Sequence, residues 1–163
     1  MAVGPSIFAG VIPWLLTRWQ VRRPVPGGWP ARLAGAVLVG SGTAVIGHSF
    51  VRFVTEGLGT PAPIAPPEHL VVGGVYRHVR NPMYLAMAAA VAGQALLLGR
   101  PKLLLYPAAM AVPVATFVRL WEEPVLARRF GAEYEEYRRN VPGWRPRLRP
   151  WRPTAPVNPG TCR

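Results

Sequence analysis

The chain has 163 residues, which fits one domain, and half of them are apolar although the formal net charge is +12. The absence of Asp argues against carboxylate-rich magnesium sites, and the single Cys argues against cysteine zinc sites. A single Cys also excludes an intrachain disulfide. The apolar residues form long runs with arginines between them, which indicates a membrane protein beside anionic lipid and argues against nucleic-acid binding.

Two apolar segments occupy the first third of the chain. Residues 3–17 are apolar with Pro13 inside, and because a full span needs about 20 residues, they predict a short, kinked or tilted helix. A basic turn rich in Pro and Gly follows at residues 18–32. Residues 33–54 predict a second span, whose small residues favour close approach of another helix. His48 lies inside this span, either as a functional side chain or as one bonded to a neighbouring helix.

A proline-rich connection at residues 55–72 favours extended backbone and serves either as a lid or as a spacer. The polar stretch after it, residues 73–85, places arginine, histidine and tyrosine directly before an apolar run. Asn81 is suited to cap a helix and Pro82 to its first position, which predicts a third span over residues 83–99. This stretch either carries polar chemistry at the mouth of a membrane helix or is a basic, aromatic interfacial anchor.

The turn at residues 99–102 is short, so the third span and a fourth over residues 103–120 should form an antiparallel hairpin. Two prolines inside the fourth span are expected to kink it. The hairpin would bring residues 121–124, at the end of the fourth span, back to the polar stretch at residues 76–84.

The pattern changes after the fourth span. Apolar side chains recur at helical spacing from Val125 to Tyr137 with charged residues between them, which predicts an amphipathic helix. Gly131 should weaken this helix locally. From Val141 the chain is rich in Pro and Arg, and we expect an interfacial segment followed by a disordered tail at residues 149–163.

The predicted fold is therefore all-α: a polytopic membrane protein with about four transmembrane helices and a C-terminal amphipathic helix over a helical hairpin. Its expected regions are the N-terminal helices and connection (1–69), the hairpin with the amphipathic helix (70–148), and the tail (149–163). Four spans place six basic residues on one side and thirteen on the side of the polar stretch, which predicts that this stretch faces the cytoplasm. The four arginines of the first turn run against this orientation.

Two adjacent carboxylates, Glu122 and Glu123, end the fourth apolar run, where an unpaired charge is costly. Glu123 precedes Pro124 and fits the N-terminus of the next helix, where negative charge is favoured. Glu122 needs a partner, and Arg80 across the hairpin mouth is the natural candidate. The two would form either a purely structural ion pair or part of a site.

An ordered set of motifs in this chain resembles one family. The set is Gly74-x-Tyr76-x-x-Val79-Arg80-Asn81-Pro82-Met83-Tyr84, an apolar hairpin, Glu122-Glu123-Pro124-x-Leu126, and Phe130-Gly131-x-Glu133-Tyr134-x-x-Tyr137 with Val141-Pro142. Over about residues 70–148 it is similar to the isoprenylcysteine carboxyl methyltransferase and phospholipid methyltransferase superfamily of integral membrane enzymes. That family usually has Arg-His-Pro where this chain has Arg80-Asn81-Pro82, and asparagine cannot accept a proton as histidine does.

The resemblance implies transfer of a methyl group from S-adenosylmethionine to oxygen or nitrogen of a lipophilic acceptor, with the cofactor held in the hairpin beneath the amphipathic helix. Arg80 and Glu122 are the expected catalytic residues, and no metal is expected. The expected cofactor-binding residues are Tyr76, His78, Arg80, Asn81, Pro82, Tyr84, Glu122, Glu123 and Tyr134. A carboxylate acceptor would need no base, whereas an amine or hydroxyl would, with His78 or Glu122 as the candidates.

Two other functions are compatible with the sequence. Some sterol-type membrane reductases that use NADPH also resemble the C-terminal hairpin, and a small helical scaffold without enzymatic activity is the third possibility. The expected partners are the lipid bilayer and a lipophilic methyl acceptor. The Arg-rich, Asp-free composition suggests a GC-rich bacterial genome, and hence a protein of the bacterial inner membrane. The distribution of basic residues predicts that its site faces the cytoplasm.

Overall fold

A computed structural model describes residues 7–18, 20–21, 27–57 and 69–152. Within these ranges the regular secondary structure is helical and no strand occurs, which confirms the predicted all-α fold. Helix α1 (Ile12–Thr17) follows a π-helical turn at Ile7–Val11, so the first apolar segment is short and interrupted, as predicted.

The second helix, α2 (Gly28–Gly57), is longer than the predicted span at both ends. At its start, Pro30 lies in the first turn, where no backbone N–H is needed, so part of the predicted basic turn is helical. At its end, residues 55–57 continue the helix because the prolines of the connection begin only at Pro61. Residues 58–68 of that connection, which was predicted as a lid or spacer, lie outside the described residues, as does the tail from residue 153.

Helix α3 (Pro82–Leu98) has the predicted bounds within one residue. Its C-terminus is closed by two backbone hydrogen bonds: the Arg100 N–H donates to the Ala95 carbonyl over 2.9 Å, and the Gly99 N–H donates to the Leu96 carbonyl over 3.3 Å. This arrangement needs a left-handed residue after the helix, and Gly99 supplies it with a φ of 63°. The helix therefore ends where the short turn begins.

The predicted hairpin is present. A 3₁₀ turn (Pro101–Leu104) follows α3 directly and leads into α4 (Leu105–Phe117). Side chains from α3, the turn, α4 and the first apolar segment pack together in one cluster: Val91, Ala95, Leu103, Tyr106 and Ala9.

Proline and glycine interrupt the long helical stretch after the hairpin turn. A π-helical turn (Val118–Glu122) separates α4 from α5 (Glu123–Asn140). Pro124 lacks an N–H and its ring would clash with the carbonyl four residues earlier, which a wider turn relieves. Inside α5, Gly131 takes a non-helical φ of 51° and ψ of −124°, so the predicted local weakening is a break in the helix.

Helices α2 and α3 contact each other through glycines. A Cβ added at Gly42 would lie 2.8 Å from the Ala86 carbonyl oxygen, and one at Gly93 would lie 2.7 Å from the Gly35 carbonyl oxygen. These distances are shorter than a carbon–oxygen contact allows, so only glycine permits the helices to approach this closely. The predicted role of the small residues in α2 is confirmed.

The chain divides into two compact units, each formed by two separate segments. The first contains Met1–Gly47 and Met83–Trp121, and the cluster in the hairpin belongs to it. The second contains His48–Pro82 and Glu122–Arg163, and its core consists of Leu70, Tyr134, Tyr137 and Val141. The polar stretch before α3 and the amphipathic helix α5 therefore lie in the same unit.

In the part of the chain that the structure describes, two helical stretches are long and apolar enough to cross a membrane, namely Gly28–Arg52 and Pro101–Asn140. Two further apolar helices, Ile7–Thr17 and Pro82–Leu98, are shorter. In the most apolar window of the two long stretches only 17% and 11% of the residues are buried. A core helix of a soluble protein would be mostly buried, so this exposed apolar surface fits contact with lipid. Because charged residues begin at Arg119 and are frequent throughout α5, we place α5 outside the apolar layer.

Candidate active site

The centre of the second unit is an ion pair between the polar stretch and α5. The Arg80 Nη1 donates to Glu123 Oε1 over 2.7 Å and to the Tyr134 hydroxyl over 3.2 Å. The side chains of Arg80 and Glu123 are only 15% and 18% exposed. The predicted return of the fourth span to the polar stretch is thereby confirmed. The carboxylate that forms this short ion pair is Glu123, which also lies at the predicted start of the next helix. The expected contact between Glu122 and Arg80 stays a prediction.

Two buried guanidinium nitrogens in this unit have no acceptor among the described residues. They are the Nε atoms of Arg77 and Arg80. A buried donor without an acceptor costs about 1–3 kcal/mol, and more when it carries charge. At Arg80 this leaves unused donor capacity beside the ion pair, which suits an anionic ligand.

The hydroxyl of Tyr134 is kept protonated by its surroundings. Burial raises the pKa of Tyr134, the neighbouring Glu123 carboxylate raises it further, and Arg80 partly opposes both effects. Burial likewise raises the pKa of Tyr137, whose hydroxyl donates to the Tyr76 carbonyl over 2.8 Å. Because Tyr134 accepts from Arg80 and keeps its own proton, it remains a hydrogen-bond donor for a second partner.

Residues 141–152, which we call the C-terminal strap, hold the polar stretch in place. Backbone bonds join the two segments at three points: Arg80 N–H to the Pro142 carbonyl at 3.0 Å, Arg147 N–H to the His78 carbonyl at 3.0 Å, and Trp151 N–H to the Arg77 carbonyl at 3.1 Å. The Asn81 side-chain amide also donates to the Gly143 carbonyl over 3.2 Å. The strap thus fixes both the backbone and the side chains around Arg80.

The strap also defines the protonation of His78. The Nδ1 atom lies 2.8 Å from the Arg147 carbonyl oxygen. A carbonyl only accepts hydrogen bonds, so Nδ1 carries the proton, and in the neutral ring Nε2 is the atom with the free lone pair. His78 is therefore oriented as a potential hydrogen-bond acceptor or base.

The other predicted site residues have different surroundings. Tyr76 is buried in the second unit, and its carbonyl accepts from Tyr137. Pro82 is the first residue of α3 and is buried. Glu122 is the last residue of the π-helical turn and is half-buried. Tyr84 is half-buried and belongs to the first unit.

His48 lies beside the start of the polar stretch. Its Nε2 atom occupies the space that a Cβ on Gly74 would need, and Gly74 also has a left-handed φ of 56°. Both facts require glycine at position 74. The side chain of His48 is exposed rather than enclosed, which differs from the buried position considered for it in the span.

Sequence reasoning missed the residues of the strap, because it expected only an interfacial segment and a tail. Trp151 packs against the core of the second unit, with its ring 5.7 Å from that of Tyr137. A tryptophan inside a proline- and arginine-rich segment was the available signal, since so large an apolar side chain favours burial. The described residues contain no group of three or more metal-ligating side chains.

A sequence profile of the phospholipid methyltransferase family matches residues 31–133. The chain belongs to this family. The phospholipid methyltransferase profile begins within α2 and so includes part of the N-terminal region that the sequence resemblance, limited to residues 70–148, had left out. It contains Arg80, Glu122 and Glu123 and ends directly before Tyr134. No curated protein and no solved structure matches the chain.

Proposed function

We propose that the protein is an integral membrane methyltransferase that uses S-adenosylmethionine to methylate oxygen or nitrogen of a lipophilic acceptor. Membership of the phospholipid methyltransferase family supports methyl transfer, and the exposed apolar helices support a membrane location. The observation that carries the cofactor proposal is the mostly buried side chain of Arg80, whose Nε has no acceptor in the described part of the chain.

The residues of the second unit fit the polar groups of this cofactor. Its amino-acid end carries a carboxylate, which would satisfy the buried Nε donor of Arg80. The Tyr134 hydroxyl, which keeps its proton, supplies a further donor. Glu122 would accept hydrogen bonds from the ribose hydroxyls or the amino group. S-adenosylmethionine, when bound, supplies an electrophilic methyl group on a sulfonium.

The residues of the chain chiefly position the cofactor and exclude water from the site. Glu123 and the Tyr134 hydroxyl accept from the Arg80 guanidinium, and the Pro142 carbonyl accepts from the Arg80 backbone N–H, so the remaining donors of Arg80 are oriented before a ligand arrives. The strap keeps the loop in one conformation, which lowers the entropy lost on binding. For an amine or hydroxyl acceptor, the Nε2 atom of His78 is one candidate to receive the proton and Glu122 is the other.

The proposed acceptor enters from the bilayer, because the apolar helices expose large aliphatic side chains rather than a polar surface. The proposed cofactor enters from the cytoplasm, which agrees with the larger number of basic residues expected on the side of Arg80. The roles of Tyr76, Asn81, Pro82 and Tyr84 in cofactor binding remain predictions from residue type.

The test is calorimetric titration of the purified protein in detergent with S-adenosylhomocysteine, and with NADPH in parallel. We expect S-adenosylhomocysteine to bind and NADPH not to bind. Arg80→Ala should weaken binding by about ten-fold or more, since a charge-assisted hydrogen bond contributes about 1.5–3 kcal/mol. Arg128→Ala, which removes an exposed arginine of α5, is the matched control and should leave affinity unchanged.

A thermal melt of each variant separates lost binding from lost folding. The proposal fails if the wild-type protein binds NADPH instead, or if it binds neither ligand. It also fails if Arg80→Ala and Glu123→Gln both retain wild-type affinity. If S-adenosylhomocysteine binds, incubation of the protein with labelled S-adenosylmethionine and a lipid extract identifies the class of acceptor.

A further inference from the structure

The outer side of the strap carries an unusual combination of side chains. Leu148 is 97% exposed and Trp144 is 39% exposed. Three arginines on the same short segment are exposed as well, namely Arg145, Arg149 and Arg152. An almost fully exposed leucine between basic residues has no packing role in the described part of the chain.

This exposure does not result from a loose segment. Backbone hydrogen bonds at Arg147 and Trp151 tie the strap to the polar stretch on both sides of Leu148. The Arg147 side chain also donates to the Asn140 carbonyl, and the Trp151 ring packs beside Tyr137. The strap is therefore held so that Leu148 points away from the protein.

The charge of the strap indicates what covers it. Residues 141–152 contain four arginines and no acidic residue, and the chain that carries them has helices fit to lie in a bilayer. Basic residues beside a membrane are attracted to anionic headgroups, while leucine and tryptophan are favoured at the interface below them. Apolar and basic side chains are mixed along residues 144–152, which suits contact with both the interface and the headgroups.

We propose that the strap is a binding surface for the anionic phospholipid headgroups of the surrounding bilayer. Leu148 and Trp144 enter the interface, and Arg145, Arg149 and Arg152 contact the lipid phosphates. This interaction is separate from the proposed methyl transfer, because it uses exposed side chains of the strap and not Arg80.

A label at position 148 tests the proposal. The only cysteine, Cys162, is replaced in a Cys162→Ser background, and Leu148→Cys is labelled with an environment-sensitive fluorophore. The protein is reconstituted into phosphatidylcholine vesicles that contain increasing fractions of phosphatidylglycerol. We expect a blue shift of the emission as the anionic fraction rises, quenching by lipids with brominated acyl chains, and a smaller shift at high salt.

The matched variants decide the role of charge. Arg145→Gln with Arg149→Gln should lose most of the blue shift at the phosphatidylglycerol fraction that gives the half-maximal shift in the parent. Arg128→Gln with Arg129→Gln, two exposed arginines of α5, should leave it unchanged. Equal emission in neutral and anionic vesicles would overturn the proposal, as would an unaffected strap variant. A shift in detergent that depends on protein concentration would show instead that a second copy covers the strap.

Discussion

The Arg80 guanidinium donates to the Glu123 carboxylate over 2.7 Å, although 43 positions separate the two residues in the chain. Arg80 precedes the first residue of α3 by two positions and Glu123 is the first residue of α5, so the whole helical hairpin lies between them in the chain. The pair joins the polar stretch to the amphipathic helix and leaves part of the guanidinium for another acceptor.

Removing the carboxylate of this pair should destabilise the fold. Glu123→Gln leaves a mostly buried guanidinium without its counterion, and we expect a loss of about 1–3 kcal/mol in the free energy of unfolding. The matched control is Glu135→Gln, since Glu135 pairs with Arg138 at 3.5 Å and the two side chains are 46% and 49% exposed. That change should cost about 0.5 kcal/mol or less. Denaturant unfolding in detergent measures both, and equal effects would contradict the central role of Glu123.

The buried tyrosines predict a loss of stability at alkaline pH. The pKa values of Tyr134 and Tyr137 are raised in the folded protein, chiefly by burial. Above about pH 10 these tyrosines ionise in the unfolded chain before they do so in the folded one, so the free energy of unfolding falls as the pH rises. Below that pH both tyrosines are protonated in the folded and the unfolded chain, so their contribution to the free energy of unfolding is fully present.

Two variants check this origin of the alkaline loss. Tyr134→Phe and Tyr137→Phe should each give a shallower fall of thermal stability between about pH 9 and pH 11. Tyr137→Phe should also be less stable at neutral pH, because it removes the bond to the Tyr76 carbonyl, which contributes roughly 1 kcal/mol. An unchanged slope in both variants would exclude the two tyrosines as the cause.

The strap predicts a binding defect from a single methyl group. A Cβ at Gly143 would lie 3.2 Å from Arg80 Nη2 and 3.6 Å from Asn81 Nδ2. Gly143→Ala should therefore displace the guanidinium by a few tenths of an ångström and weaken S-adenosylhomocysteine binding by roughly three- to ten-fold, with a small effect on melting temperature. Gly47→Ala, whose Cβ would meet nothing within 4 Å, is the control. A normal affinity for Gly143→Ala would mean that Arg80 tolerates movement or does not contact the ligand.

The contact between α2 and α3 predicts a sharp difference between two glycines on one helix. Gly42→Ala places a Cβ 2.8 Å from the Ala86 carbonyl oxygen, whereas Gly40→Ala meets nothing within 4 Å. We expect the first change to destabilise by about 1–3 kcal/mol through forced separation of the helices. The second should be neutral or stabilising by up to about 1 kcal/mol, because alanine favours helix more than glycine does. The melting temperatures of the two variants are measured in the same detergent. Similar values would argue against close packing of α2 on α3.

The sequence determined the features that local patterns encode. Unbroken apolar runs predicted the helices, Pro82 the start of α3, Gly99 its end and Gly131 the break in α5, because each signal acts within one or two turns. The ordered motifs identified the family, which the profile match confirms. The predicted ends of α2 were wrong. At its start, the prediction placed Pro30 in a turn, although proline is tolerated in the first turn of a helix.

Only the tertiary structure showed that Glu123 contacts Arg80. Neighbouring residues on a helix point about 100° apart, and a π-helical turn changes the direction of every residue after it, so sequence spacing alone does not select Glu123. The strap was also beyond local patterns. Its hydrogen bonds join an irregular segment to residues more than 60 positions away, such as His78 to the Arg147 carbonyl, and irregular backbone has no periodicity from which such partners follow.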